Sequence, residues 1–137
     1  MFSNTSGAKF MYFYSEVGGG LGTITRNGTA GSVLYNTTSD YRLKTDVTPI
    51  NNALATVEKL KPVSYTWIGT EQTDTGFIAH ELQSIVPDAV VGEKDAVDAE
   101  GKPVYQGIDT SFLVATLTAA IQELKAELDE LKAKVQA

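Results

Sequence analysis

Near the C-terminal end, apolar residues recur alternately three and four positions apart: Val114, Leu117, Ile121, Leu124, Leu128, Leu131 and Val135. No proline or glycine interrupts residues 111–137, so the stretch reads as one helix with Asp109 or Thr110 available as its cap. Val114, Ile121, Leu128 and Val135 take the a positions of a heptad, and Leu117, Leu124 and Leu131 take the d positions. Glu127 at g can reach Lys132 at e of a parallel neighbour. The first two turns also suit packing on the chain's own domain. The second half offers only this narrow stripe among charges, which predicts association with other copies. β-Branched residues at a with leucine at d favour dimers in simple peptides, but a folded domain in front can override that preference. The seam therefore predicts association and leaves the number of chains open.

The remaining length limits what the helix can be attached to. A chain of 137 residues allows one domain with a modest core and an appended element. Its 42% hydrophobic and 20% charged content is that of a folded protein. A net charge of −6 without a basic stripe argues against nucleic acid as a partner. The sequence has no cysteine and a single histidine, His80, which excludes disulfides and thiolate metal sites and disfavours a histidine-based one. No metal and no cofactor is expected. No apolar run approaches the roughly 20 residues of a membrane span, and Met1-Phe2-Ser3-Asn4 lacks the character of a signal peptide. The expectation is a soluble chain, intracellular when made, with no membrane partner.

Ahead of the helix, two segments differ in pattern. In residues 1–38, Lys9–Val17 is aromatic and β-prone, Gly18-Gly19-Gly20 breaks it, and Leu21–Thr25 resumes with alternation. Asn27-Gly28 signals a turn before a last short strand, Ser32–Tyr35. Such strands cannot bury a core alone; they read as the end of something longer, or as strands needing partners from other chains. Residues 46–110 are mixed. Thr48-Pro49 offers a cap and a first helical position for Ile50, Ala53, Leu54, Val57 and Leu60. Val63–Trp67 alternates as a strand, Thr75–Ile78 forms another, and Ala79–Val86 makes two helical turns stopped by Pro87. Gly92–Pro103 is a polar, acidic loop, and Val104–Ile108 is a last strand. Glu93, Asp95, Asp98 and Glu100 lack the spacing of a calcium loop and read as solvated. The fold class is α+β.

Between these segments lies NTTSDYRLKTD, residues 36–46, with little of the glycine or proline of a loose linker. Ser39 and Lys44 are a possible nucleophile and base. Serine needs a base to take its proton, and lysine serves only when neutral, which requires burial or a neighbouring cation such as Arg42. Tyr41 and Leu43 are candidates for apolar cover. Asp40 and Asp46 would oppose this by holding the ammonium charged, unless they pair with Arg42. Serine and lysine at this spacing are common by chance, so a solvated turn stands beside the catalytic reading.

Four blocks in order carry a resemblance. Ser39-Asp40-Tyr41-Arg42-Leu43-Lys44 with Asp46-Val47-Thr48-Pro49-Ile50 resembles the opening signature of the intramolecular chaperone domains of the S74 peptidase family. These end phage tail spikes, tail fibres and endosialidases. Lys61–Trp67 is similar to the family's Lys-Pro-aromatic strand. Gly76–Gln83 with Val86–Val90 is similar to its Gly-Phe-Ile-Ala-x-Glu helix. Residues 105–117 and the heptads complete a match over 39–137. His80 departs from the glutamine more usual there and reads as a surface histidine.

The resemblance implies a domain that forms a homotrimer through a parallel trimeric coiled coil and registers the preceding fibre or spike chains, its folding client. It then cuts itself off. By that carry-over Ser39 is the nucleophile and Lys44 its base, with Asp40, Arg42, His80 and Glu81 as possible support. The cut falls at Thr38–Ser39 or Ser39–Asp40. Residues 1–38 would be the end of the β-rich fibre, 39–110 the α+β chaperone core and 111–137 the trimerisation helix. The implied setting is the host cytoplasm during phage assembly, with the chaperone part absent from the mature virion. The alternative is a non-cleaving structural trimerisation module at a fibre tip, with Ser39 inert.

Overall fold

The computed structural model describes residues 9–16, 19–27 and 31–136. They belong to two compact units, Met1–Thr48 and Pro49–Ala137. In the first, β1 (Lys9–Tyr14), β2 (Gly20–Arg26) and β3 (Val33–Thr37) form an antiparallel sheet in that order. Ser15 and Gly19 close the first hairpin through the Ser15 N–H to the Gly19 carbonyl (2.8 Å) and the Gly19 N–H to Ser15 Oγ (3.0 Å). Gly18 and the expected Asn27-Gly28 turn at Gly28 lie outside the described residues. Asn27 itself joins Ser32 across the second hairpin by a 3.0 Å backbone bond. Gly22 is required where it stands, because a Cβ there would meet the Asn36 carbonyl oxygen at 2.3 Å.

Among the described residues this sheet has almost no interior. Thr25 is its one buried residue among those described, and Phe10, Met11, Tyr12, Phe13, Tyr14, Leu34 and Tyr35 are all exposed. Tyr12 and Tyr14, two apart on one face, stack at 4.8 Å. Asn36 Nδ2 donates to the hydroxyl of Thr25 (3.0 Å), so even the buried position is polar.

The second unit is built around Leu82, Ala89, Val90 and Leu113, with Leu60, Phe77, Val86 and Ile108 packed against them. Its elements are α1 (Ala53–Val57), the hairpin β4 (Val63–Thr66) and β5 (Thr73–Gly76), α2 (Ala79–Gln83), and the pair β6 (Val90–Val91) and β7 (Gly107–Ile108). α3 (Leu113–Val135) follows. The α+β class with a long C-terminal helix is as expected from sequence.

Three local expectations need correction. The first helix starts at Ala53, not at Pro49, because Asn52 takes a left-handed conformation, φ 57°, which ends helical geometry on its N-terminal side. No side chain of its own segment caps it; instead Glu123 of α3 accepts from the Ala53 N–H (3.0 Å) and the Leu54 N–H (2.7 Å). Pro87 opens a 3₁₀ turn, Pro87–Ala89, well after α2 has ended. The strand expected at Val104–Ile108 is split. The Val104 N–H turns to the Ala96 carbonyl (2.8 Å), and only Gly107–Ile108 pairs with Val90–Val91.

α3 opens with a 3₁₀ turn, Thr110–Phe112, capped by Asp109, whose carboxylate accepts from the Ser111 N–H. The helix has two distinct stripes. Leu113 and Ala120 are buried, and Thr116 and Glu123 partly so, on the side that meets the unit's own core and α1. Ala53 of α1 and Ala120 of α3 are both almost wholly covered. Such small residues let two helices approach closely enough for a glutamate to reach backbone N–H groups. The heptad seam runs along another stripe, and every member of it is exposed, from 40% at Leu117 to 79% at Val135.

Candidate active site

Thr38 prolongs the sheet by one residue. Its N–H donates to the Leu21 carbonyl (2.9 Å) and its hydroxyl to the Gly20 carbonyl (2.7 Å). The chain then leaves the sheet at Ser39 and passes Asp40, which is extended at φ −68°, ψ 137°. One 3₁₀ turn follows, Tyr41–Leu43. Two backbone bonds close it, Leu43 N–H to the Asp40 carbonyl and Lys44 N–H to the Tyr41 carbonyl, each 3.1 Å. Asp40 caps the turn by accepting from the Arg42 N–H at 2.9 Å, the usual work of an aspartate at that position.

This reversal brings Ser39 and Lys44 together: Lys44 Nζ donates to Ser39 Oγ at 2.6 Å. Asp40 engages Arg42 rather than Lys44, receiving Nε on one carboxylate oxygen and Nη2 on the other, both at 2.8 Å. The Arg42 side chain holds the Asp40 carboxyl below the usual aspartate range, and the carboxylate raises the guanidinium in turn. Asp46, at φ 51°, accepts from the Thr45 hydroxyl (3.0 Å). Tyr41 and Leu43, candidates for apolar cover, are 82% and 72% exposed. Ser39 and Lys44 are exposed as well. A shallow groove of about 600 Å³ is lined by Gly19, Gly20, Thr38, Asp40, Arg42 and Leu43.

His80 and Glu81 stand on α2 in the second unit. Glu81 pairs with Lys61 across 3.5 Å, which ties the helix to the residues leading into β4. His80 is exposed and borders a cleft of about 320 Å³ with Glu93, Lys94, Asp95, Tyr105 and Gln106. In the acidic loop, Asp98 accepts from the N–H groups of Glu100 and Lys102 (2.9 and 2.8 Å). Among the described residues no group of three acidic or histidine side chains is placed to hold a metal ion, and no helix is long and apolar enough to cross a membrane.

Glu123 was not legible as more than a charge on a helix face. Its carboxyl lies below the usual glutamate range because the Leu54 and Ala53 N–H groups, and that of Asn52, bind the charged form. No sequence signal pointed to it, because Thr48-Pro49 offered a local cap; only the structure shows that Asn52, ahead of α1, makes no side-chain cap.

The family model described as chaperone of endosialidase, peptidase S74, matches residues 39–91 and begins at the serine of the close pair. Residues 39–91 belong to the chaperone-of-endosialidase family. The domain's relatives include the long tail fiber protein Gp37 of Enterobacteria phage K3, 36% identical over 102 residues, which is 71% of this chain and 8% of the relative. The same protein of Enterobacteria phage T2 matches at 36% over 102 residues, 71% of this chain and 7% of its own length. The chain thus spans less than a tenth of the length of these relatives, and the chaperone-of-endosialidase match covers the turn, α1, the β4–β5 hairpin and α2.

Proposed function

We propose that this chain is the chaperone end of a phage tail-fibre or tail-spike protein. Its residues 39–110 form the chaperone core, and 111–137 assemble as a parallel trimeric coiled coil. Residues 1–38 are the last stretch of the β-rich fibre, and the fibre is the folding client. Interwoven β-structures form slowly through non-local contacts; a trimer domain raises the effective concentration of three chains and aligns them. The exposed seam on α3 supports association, and the almost coreless sheet supports a client that needs other copies.

The domain then releases itself, with Ser39 as nucleophile and Lys44 as base. The observation that carries this is the 2.6 Å contact between Lys44 Nζ and Ser39 Oγ, within the reach required for proton transfer. Lys44, once neutral, takes the Ser39 hydroxyl proton as Oγ attacks the Thr38 carbonyl through a five-membered ring. The C–N bond to Ser39 breaks, its nitrogen receives the proton, and an ester joins Thr38 to Ser39 Oγ. Water hydrolyses that ester. Attack on the carbonyl of Ser39 itself, cutting at Ser39–Asp40, passes through a strained four-membered ring; attack on a neighbouring chain is the third route. Because both side chains are exposed in the single chain, drying the lysine falls to neighbouring copies, and cleavage is expected to follow assembly.

Intact-mass measurement and light scattering on wild type, Ser39→Ala and Lys44→Ala test this together. Wild type should form a trimer and give products at one of the two junctions, and each variant should stay full length. A Ser39→Ala chain cut at the same junction and rate removes the dyad. The exposure of Ser39, Lys44, Tyr41 and Leu43 also favours a second reading, a trimerisation module that does not cleave. It predicts a stable full-length trimer from the wild type.

A further inference from the structure

Ser39 and Lys44 flank the 3₁₀ turn but contribute no backbone bond that closes it except the Lys44 N–H. Were residues 39–44 extended, their Cα atoms would lie roughly 17 Å apart, far beyond the reach of a lysine to a serine hydroxyl. A single helical turn is unfavourable to form alone, so its persistence depends on what is added to the two backbone bonds. Asp40 adds three contacts, one to the Arg42 N–H and two to the guanidinium. The two-point fork is planar and directional, and it fixes both side chains together.

We propose that Asp40 and Arg42 are positioning residues for the dyad, a clamp with two tasks. Asp40 holds the turn that sets Ser39 opposite Lys44. Arg42 occupies the carboxylate next to Ser39 in sequence, which would otherwise draw the Lys44 ammonium away from the hydroxyl and keep it charged. The proposal rests on the Ser39–Lys44 reading above. It adds that the dyad is assembled by two residues whose side chains bond each other rather than the Ser39 hydroxyl.

The second task separates this from a merely structural role. Arg42→Gln frees the Asp40 carboxylate to compete for Lys44, whereas the double variant Asp40→Asn/Arg42→Gln keeps a capping oxygen and leaves no carboxylate to compete. The rate of self-cleavage of the full chain, followed by intact mass, should fall on the order of tenfold to a hundredfold in Asp40→Ala and in Arg42→Gln. The double variant should recover part of the Arg42→Gln loss. Wild-type rates in both single variants, with Ser39→Ala uncut, overturn the clamp while leaving the dyad intact. A double variant no faster than Arg42→Gln overturns the competition between Asp40 and Lys44.

If wild type is not cut, or Ser39→Ala is cut as wild type, the dyad reading fails and a second measurement judges the clamp. It is the nuclear Overhauser contact between Ser39 Hβ and Lys44 Hε in the full chain. Presence in wild type and loss in Asp40→Ala supports the clamp. Persistence in Asp40→Ala, or absence from wild type, overturns it.

Discussion

In Pro49–Ala137, Leu82, Ala89, Val90 and Leu113 come together out of water, whereas the sheet of Met1–Thr48 leaves Phe10 to Tyr14 on β1 and Leu34 and Tyr35 on β3 exposed. Both units are rich in apolar side chains, and among the described residues only one gathers them into an interior. Composition therefore does not distinguish them; the number of layers does, since a lone three-stranded sheet has nothing to close against. Among the described residues, one unit gathers apolar side chains out of water, while the sheet of the other carries them on its surface. α3 repeats the contrast on a smaller scale, with one stripe spent on its own unit and a second left open.

The largest expected effect comes from the open stripe. Leu128→Asp should convert the proposed trimer to single chains in sedimentation at micromolar concentration, with the circular dichroism of the second unit kept. Loss of all folded signal would show instead that the second unit depends on assembly as much as the first. Next is the closed interior: Leu82, 2% exposed, should cost about 2–5 kcal/mol as Leu82→Ala, the usual range for a buried leucine. Urea unfolding of the Leu128→Asp background isolates that term, and a change below about 0.5 kcal/mol would mean the core is not where the comparison puts it.

A smaller effect is expected for Glu123→Gln, a melting temperature lower by a few degrees at neutral pH. A carboxylate whose pKa is depressed by folding gives stability that is complete above its unfolded pKa and lost as pH falls through the folded one. The difference between wild type and Glu123→Gln should therefore shrink as the solution is acidified through the carboxylate range, and a difference constant with pH would refute the capping role. Smallest of all, Tyr35→Ser, at a site 79% exposed, should leave the melting of Leu128→Asp chains within about 0.5 kcal/mol. In the assembled protein the same change should be larger, and equal effects in both would break the contrast drawn between the units.

How much of this could be read in advance varied with the range of the interactions. The seam was legible because its period is written in consecutive heptads, and the break between β1 and β2 because glycine announces it. The inner stripe of α3 was not, since Thr116, Ala120 and Glu123 carry no hydropathy signal. Nor was the start of α1, whose cap arrives from the far end of the chain. The last strand misled for a similar reason: Gln106 sends its side chain to the Gly92 carbonyl (3.2 Å) and the Gln83 amide oxygen (2.9 Å), which anchors it away from a regular ladder. Ser39 and Lys44 were visible as residue types in the right order. The turn that unites them depends on the Asp40–Arg42 fork, which sequence spacing permits without requiring.

Thr38, held to β2 by both its N–H and its hydroxyl, bears on the product that the proposed cut at Thr38–Ser39 would leave. A chain severed immediately after Thr38 ends flush with its sheet, its terminal residue still pinned at two points. Under the proposed cut, such an end would offer a carboxypeptidase no loose thread to pull.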